Sequence, residues 1–257
     1  MSNASTKHGL ALSLSGVSRN FGGIRAVADM TFDVSHGKRL TIIGTNGAGK
    51  STLFNLITGV YPLSSGSIRV FDQDVSKQAA HKRAALGIAR TFQTSKLFQG
   101  MTVRENLFAA LRQALNEEKI GWLANPEKSQ KLNLESSAIL ERVDLLKKAD
   151  VQVSEISHGE SRQLEVAMAL AMRPKMLMLD EPAAGVSPTE RGRLVDLLKS
   201  LDKEMTLILI EHDMAVALAV ADEVIVMHDG EMFMKGTPDE IRNSSAVRDL
   251  YLGSNHE

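Results

Sequence analysis

Apolar and polar residues alternate along residues 10–17 and again along 26–34, with Gly22-Gly23 between the two runs. A period of two predicts half-buried strands joined by a tight turn, the beginning of an antiparallel β subdomain. Residues 39–44 form a short apolar strand that opens into a glycine-rich turn, and helical spacing follows over 50–58. Residues 67–71 and 87–92 read as further strands. From about 95 to 156 helical periodicity dominates; the stretch 116–133 is polar and holds Trp122 and an Asn125-Pro126 turn. The β/α rhythm then returns: helix over 157–172, strand over 176–179, helix over 188–201, and strands over 206–210 and 223–227.

Alternation at these lengths predicts a mostly parallel sheet with helices on both faces, and chemistry at the carboxyl ends of its strands. The expected fold class is α/β, with an antiparallel β subdomain and an inserted helical lobe. One domain is expected over 10–257, its core at about 10–94 and 157–257 and its lobe at about 95–156. Residues 1–9 are polar, without the apolar run of a secretory signal, and are expected to be a flexible tail.

Composition narrows the function classes. A chain of 257 residues with net charge −1 lacks the basic excess of a dedicated nucleic-acid binder. There is no cysteine, so disulfide and thiolate chemistry are excluded. The most apolar stretch, 205–227, is interrupted by Glu211, His212, Asp213, Asp222 and Glu223, so membrane association is expected to be peripheral and through a partner.

The run Gly44, Thr45, Asn46, Gly47, Ala48, Gly49, Lys50, Ser51 fits G-x-x-x-x-G-K-[ST], the P-loop of nucleoside-triphosphatases, and Thr52 continues it into the helix. Its glycines let backbone N–H groups curl around phosphate oxygens, and the following helix points its positive end at the same anion. Lys50 is placed to neutralise β/γ-phosphate charge and Ser51 to ligate Mg²⁺. The strand at 176–179 closes on Asp180 and Glu181. With a P-loop upstream, Asp180 reads as part of the Mg²⁺ shell and Glu181 as the general base for water; alone, the pair could as well cap the next helix. His212, at the end of the 206–210 strand, is either structural or a hydrogen-bond partner of the γ-phosphate.

In this order the motifs resemble the ABC ATPase family over nearly the whole chain. The resemblance implies further site residues: Phe21 as the aromatic that stacks on adenine, and Gln93 as the glutamine that senses Mg²⁺. It also identifies Ile156-Ser157-His158-Gly159-Glu160 with the family signature, usually Leu-Ser-Gly-Gly-Gln. There Ser157, Gly159 and Glu160 would meet the γ-phosphate bound by a second ATPase subunit, giving a head-to-tail pair with two composite sites. Ser157 and Glu160 also fit a helix capping box, and both readings can hold. The family pattern is departed from at His158 and Glu160, at Ser187 where many relatives carry aspartate, and at Phe21 where tyrosine is commoner.

Phe21-Gly22-Gly23, the 89–93 run, the Ser157–Glu160 form, Ala184-Gly185 after Pro182, and Lys235-Gly236-Thr237-Pro238 resemble ATPases of branched-chain amino acid importers, with urea and short-chain amide importers as close kin. That implies transport-coupled ATP hydrolysis on the cytoplasmic face of a bacterial membrane. It also implies transmembrane permease subunits and an extracytoplasmic solute-binding protein as partners. An exporter or lipid-transport ATPase, or a soluble ABC protein, is the alternative. A GTPase is disfavoured because no Asn-Lys-x-Asp motif occurs. Between Val75 and Arg104 lie Lys77, Lys82, Arg83, Arg90, Lys96 and no acid, read as a solvated basic face or a seat against a membrane partner.

Overall fold

The structure is a computed structural model that describes residues 9–91, 97–114 and 130–253. In chain order the first elements are β1 (Leu10–Phe21), β2 (Ile24–Ser35), β3 (Arg39–Gly44), α1 (Lys50–Ile57), β4 (Ser65–Val70), β5 (Gln73–Asp74), α2 (Ala80–Ala85) and β6 (Ile88–Arg90). Next come α3 (Val103–Ala114), α4 (Gln130–Arg142), two short 3₁₀ turns, α5 (His158–Ala171), β7 (Met176–Asp180) and α6 (Pro188–Ser200). The chain closes with β8 (Thr206–Ile210), α7 (Met214–Val220), β9 (Glu223–His228), β10 (Glu231–Gly236), α8 (Pro238–Asn243) and α9 (Ser245–Gly253). The described residues fall into two compact units, one running up to Ile88 and resuming at Asp202, the other between Ala89 and Leu201.

The first unit carries two sheets. The antiparallel one runs β2-β1-β4-β5, and β1 turns into β2 at the expected Gly22-Gly23, with Phe21 opposite Ile24. In the other sheet β3 lies between β8 and β9 and pairs with both in parallel; Ile42 faces Ile210 and Gly44 faces Met227. β3 from Leu40 onward and all of β8 are buried, Thr41 and Thr206 included, which is why they read as near-continuous apolar runs rather than alternations. α7, α8 and α9 close one face with Ala217, Ile241 and Val247 packed on Ile43, Val224 and Val226. β10 was not anticipated. It follows the Asp229-Gly230 turn, whose φ angles of 47° and 80° suit a two-residue hairpin, and its side chains are largely exposed, so it shows no apolar signature.

The second unit holds β7 beside β6, with α5 and α6 leading into and out of β7. The helices expected after residue 95 are present as α3 and α4. Phe92, Gln93, Lys96, Trp122 and the Asn125-Pro126 turn lie outside the described residues. No helix among the described residues is long and apolar enough to cross a membrane.

The basic run does not form one solvated face. Lys77 and Lys82 are exposed, but Arg83 is buried and Arg104 pairs with Asp150 at 3.0 Å. Arg83 donates to Leu56 O at 2.7 Å and Ile57 O at 2.8 Å, closing the carboxyl end of α1. That helix end presents carbonyls without helical partners and a partial negative charge, which a buried guanidinium answers.

Candidate nucleotide site

The phosphate loop is built by packing as much as by sequence. Gly44 ends β3 with φ 156°, and a Cβ there would run into Met227 O of β9. Gly49 caps α1 with φ 94°, and its Cβ would run into Ala26 O. Gly47, at φ 80°, has nothing within 4 Å of such a Cβ, so the middle of the loop shows bare backbone to open space. α1 has no side-chain cap and no acid in its first turn. Its amino-terminal N–H groups therefore face outward for an anion. Lys50 is 6% exposed and its ammonium donates to Gly44 O at 2.8 Å and Thr45 O at 3.0 Å, which holds the charge at the mouth of the loop. Ser51 and Thr52 follow, half-buried, on the first turn of α1.

Around that loop the first unit gathers two more candidates. The Ile42–Ile210 register brings the carboxyl end of β8 level with the end of β3, and Glu211 N donates to Ile42 O at 3.2 Å. His212 follows, exposed, ahead of α7, whose first turn is capped by Asp213. Phe21 ends β1 with its ring 39% exposed. The Tyr61 ring meets it edge-on at 5.4 Å and the Arg19 guanidinium lies 4.5 Å from its centroid. Tyr251 of α9 lies near the Gly44 main chain; burial pushes its hydroxyl up to about 12, against a smaller opposing pull from Gly44.

In the second unit Asp180 is 4% exposed at the end of a wholly buried β7. Thr91 ties the end of β6 to it: Thr91 N donates to Met178 O at 3.0 Å, and Asp180 N donates to Thr91 Oγ1 at 3.3 Å. Burial pulls the Arg90 guanidinium below its ordinary value, opposed by the nearby Asp180 carboxylate. Glu181 has φ 50°, a left-handed conformation that a non-glycine residue adopts at a cost of about 1 kcal/mol or more. Backbone strain of this kind clusters at functional sites.

The signature residues also belong to this unit. Ser157 caps α5: its Oγ accepts from Glu160 N at 3.1 Å while Glu160 Oε2 accepts from Ser157 N at 2.8 Å, the capping box expected from sequence. Burial favours the protonated Glu160, but hydrogen bonds from Lys148 and Ser157 outweigh it and hold the carboxyl below its ordinary range. Sequence reasoning missed Glu190. It completes a second capping box with Ser187 on α6 and also accepts from Ser157 Oγ at 3.2 Å. The Ser187-x-x-Glu190 spacing signals the box; nothing local signals the reach back to Ser157.

These residues fit a nucleotide and its metal. Bare loop backbone, an uncapped helix terminus and a lysine at its mouth suit a polyphosphate. No three His, Cys, Asp or Glu side chains converge among the described residues. Mg²⁺ bound largely through substrate phosphates and water does not require such a cluster.

The ABC transporter family model matches residues 27–184, more than half of the chain. The high-affinity branched-chain amino acid transport ATP-binding protein LivG of Escherichia coli (strain K12) is 39% identical over 248 residues, spanning 94% of this chain and 97% of LivG. Its counterpart BraF of Pseudomonas aeruginosa is 38% identical over the same shares. Among solved structures, the ADP conformation of MJ1267, an ATP-binding cassette of an ABC transporter, superposes with a TM-score of 0.83 at 29% identity, covering 95% of this chain and 99% of MJ1267. With the phosphate loop and β7 both inside the family match, the chain belongs to the ABC transporter family as an ATP-hydrolysing ATP-binding cassette.

Proposed function

We propose that this cassette drives import of branched-chain amino acids or related small solutes, hydrolysing ATP to ADP and phosphate as one of two subunits beneath a permease. The observation that carries the ATPase chemistry is the Gly44–Ser51 loop, with Lys50 held at its mouth and Gly47 bare. Phe21 stacks on adenine. The loop amides from Gly44 to Thr52 and the Lys50 ammonium hold the phosphates. Ser51 and Asp180, with Gln93, would hold Mg²⁺, which when bound would supply charge neutralisation to the phosphates. Glu181 accepts the proton of the attacking water, and His212 donates a hydrogen bond to the γ-phosphate. Ser157 and Gly159 of the partner cassette, steadied by Glu160, close over the same phosphate. Import specificity rests on the likeness to LivG and BraF over nearly their whole length, and implies a permease, an extracytoplasmic binding protein and a place on the cytoplasmic membrane face.

Glu181→Gln tests the mechanism. It keeps the side-chain shape but removes the base, so ATP still binds while turnover falls roughly 10²-fold or more. Unhydrolysed Mg-ATP then favours the closed pair, read as a shift from monomer to dimer by light scattering. Wild-type turnover in Glu181→Gln refutes the assignment. Leucine uptake by cells carrying the full transporter, with this chain deleted and restored, tests the solute.

A further inference from the structure

The hydroxyl that would meet the partner's phosphate is already engaged. Ser157 has one O–H proton, and it goes to Glu190 Oε1 at 3.2 Å, while the Oγ lone pairs receive the Glu160 amide at 3.1 Å. The Glu190 carboxylate also lies against Gly159: a Cβ there would run into Oε1 and stand 2.6 Å from Cδ. The Ser187 hydroxyl and amide hold the other oxygen, Oε2, at 2.6 and 3.0 Å, and keep the Glu190 carboxyl below the usual range, so it is an anion at neutral pH. One step away, His158 packs on Gly185, with its Cδ2 3.0 Å from a Cβ built there. The signature turn is thus tied at two points, to the loop that follows β7 through His158 and to the first turn of α6 through Ser157.

We propose that Glu190 is a gate on the signature: its carboxylate holds the Ser157 hydroxyl and fills the amino end of α5, and it must withdraw before a partner-bound γ-phosphate can take that place. The inference rests on the paired-site reading above. A carboxylate and a phosphate oxygen cannot share one hydroxyl proton, and at the same helix terminus they repel. Glu190 therefore acts as a positioning residue. It sets how much ATP is needed for pairing, and withdrawing it shifts the loop after β7 together with the signature.

Glu190→Gln isolates the charge, because glutamine also serves at the third position of a capping box. In the Glu181→Gln background, Mg-ATP is titrated and pairing is followed by light scattering, with melting temperature measured in parallel. The expected result is a half-maximal ATP concentration lower by roughly two- to tenfold, with no gain in melting temperature. Glu190→Ala, which also loses the cap, lowers the midpoint in the same direction despite a lower melting temperature. An unchanged or raised midpoint in Glu190→Gln overturns the gate and leaves Glu190 a helix cap. No pairing in Glu181→Gln at any ATP concentration overturns the paired-site reading, and the gate with it.

Discussion

Arg83 holds the far end of the helix that begins at the phosphate loop, and replacing it tests how that helix is anchored. The last carbonyls of α1 are satisfied one by one. Phe54 O takes Thr58 N at 3.0 Å and Asn55 O takes Val60 N at 2.9 Å, while Leu56 O and Ile57 O take Arg83 Nη1 at 2.7 and 2.8 Å. Arg83 Nε adds Gln78 O at 3.0 Å, and a Cβ at Gly59 would press on the same guanidinium at 2.7 Å. Burial lowers the Arg83 pKa, with Asp74 opposing, yet guanidinium stays charged at neutral pH. Arg83→Ala removes four charge-assisted hydrogen bonds, counting a long one from Nη2 to Ser76 O at 3.5 Å, and leaves the Ile57 carbonyl without the guanidinium, while Leu56 O keeps Gly59 N at 3.2 Å. At about 1.5–3 kcal/mol net for a bond to a charged group, and because bonds sharing one guanidinium are far from additive, the loss comes to about 3–4 kcal/mol. Arg83→Lys keeps the charge but not the fork, and recovers roughly half of it. Urea unfolding reads the difference as a lower midpoint at unchanged slope. A loss under about 1 kcal/mol for Arg83→Ala would show that the guanidinium is dispensable and that the helix end is capped by other means.

Two further outcomes follow from single contacts. Glu160 has a folded pKa below its ordinary 4.5, so its bonds to Lys148 and Ser157 stabilise the protein above that pH and fade as pH falls through the folded value. The melting-temperature gap between wild type and Glu160→Gln should therefore narrow on acidification below pH 4.5, and a constant gap down to pH 3 contradicts the ion-pair account. Phe21→Ala removes an exposed ring already backed by Tyr61 and Arg19, and should raise KM for ATP several-fold with little change in kcat; an unchanged KM removes Phe21 from the adenine site.

The core strands were legible because their signals are local. β3 and β8 are buried nearly throughout and carry near-continuous apolar runs, broken within by Thr41 and ended by Gly44 in β3 and by Glu211 after β8. The helix expected over 188–201 is observed as Pro188–Ser200, and the Ser157–Glu160 capping box was legible from its spacing, whereas the matching Ser187–Glu190 spacing went unread. β10 stayed hidden for the opposite reason. An edge strand with exposed Met232 and Phe233 has no alternation to read, and only its Asp229-Gly230 turn marked it.

What sequence order could not supply is which polar group answers which. Arg83 reads as one member of a basic run, and its burial follows from carbonyls 26 and 27 residues away. Glu190 reads as an ordinary third residue of a helix, yet one of its oxygens reaches a serine 33 positions earlier. Even the departures at His158 and Ser187 are interpretable only together, since His158 packs on the glycine two residues before Ser187 and Ser187 fixes the carboxylate that holds Ser157. Substituting one member of that set changes the environment of the others. The usual signature glycine at His158 would remove the ring from Gly185 while leaving Glu190 in place, so the two ties of the signature turn can be cut separately.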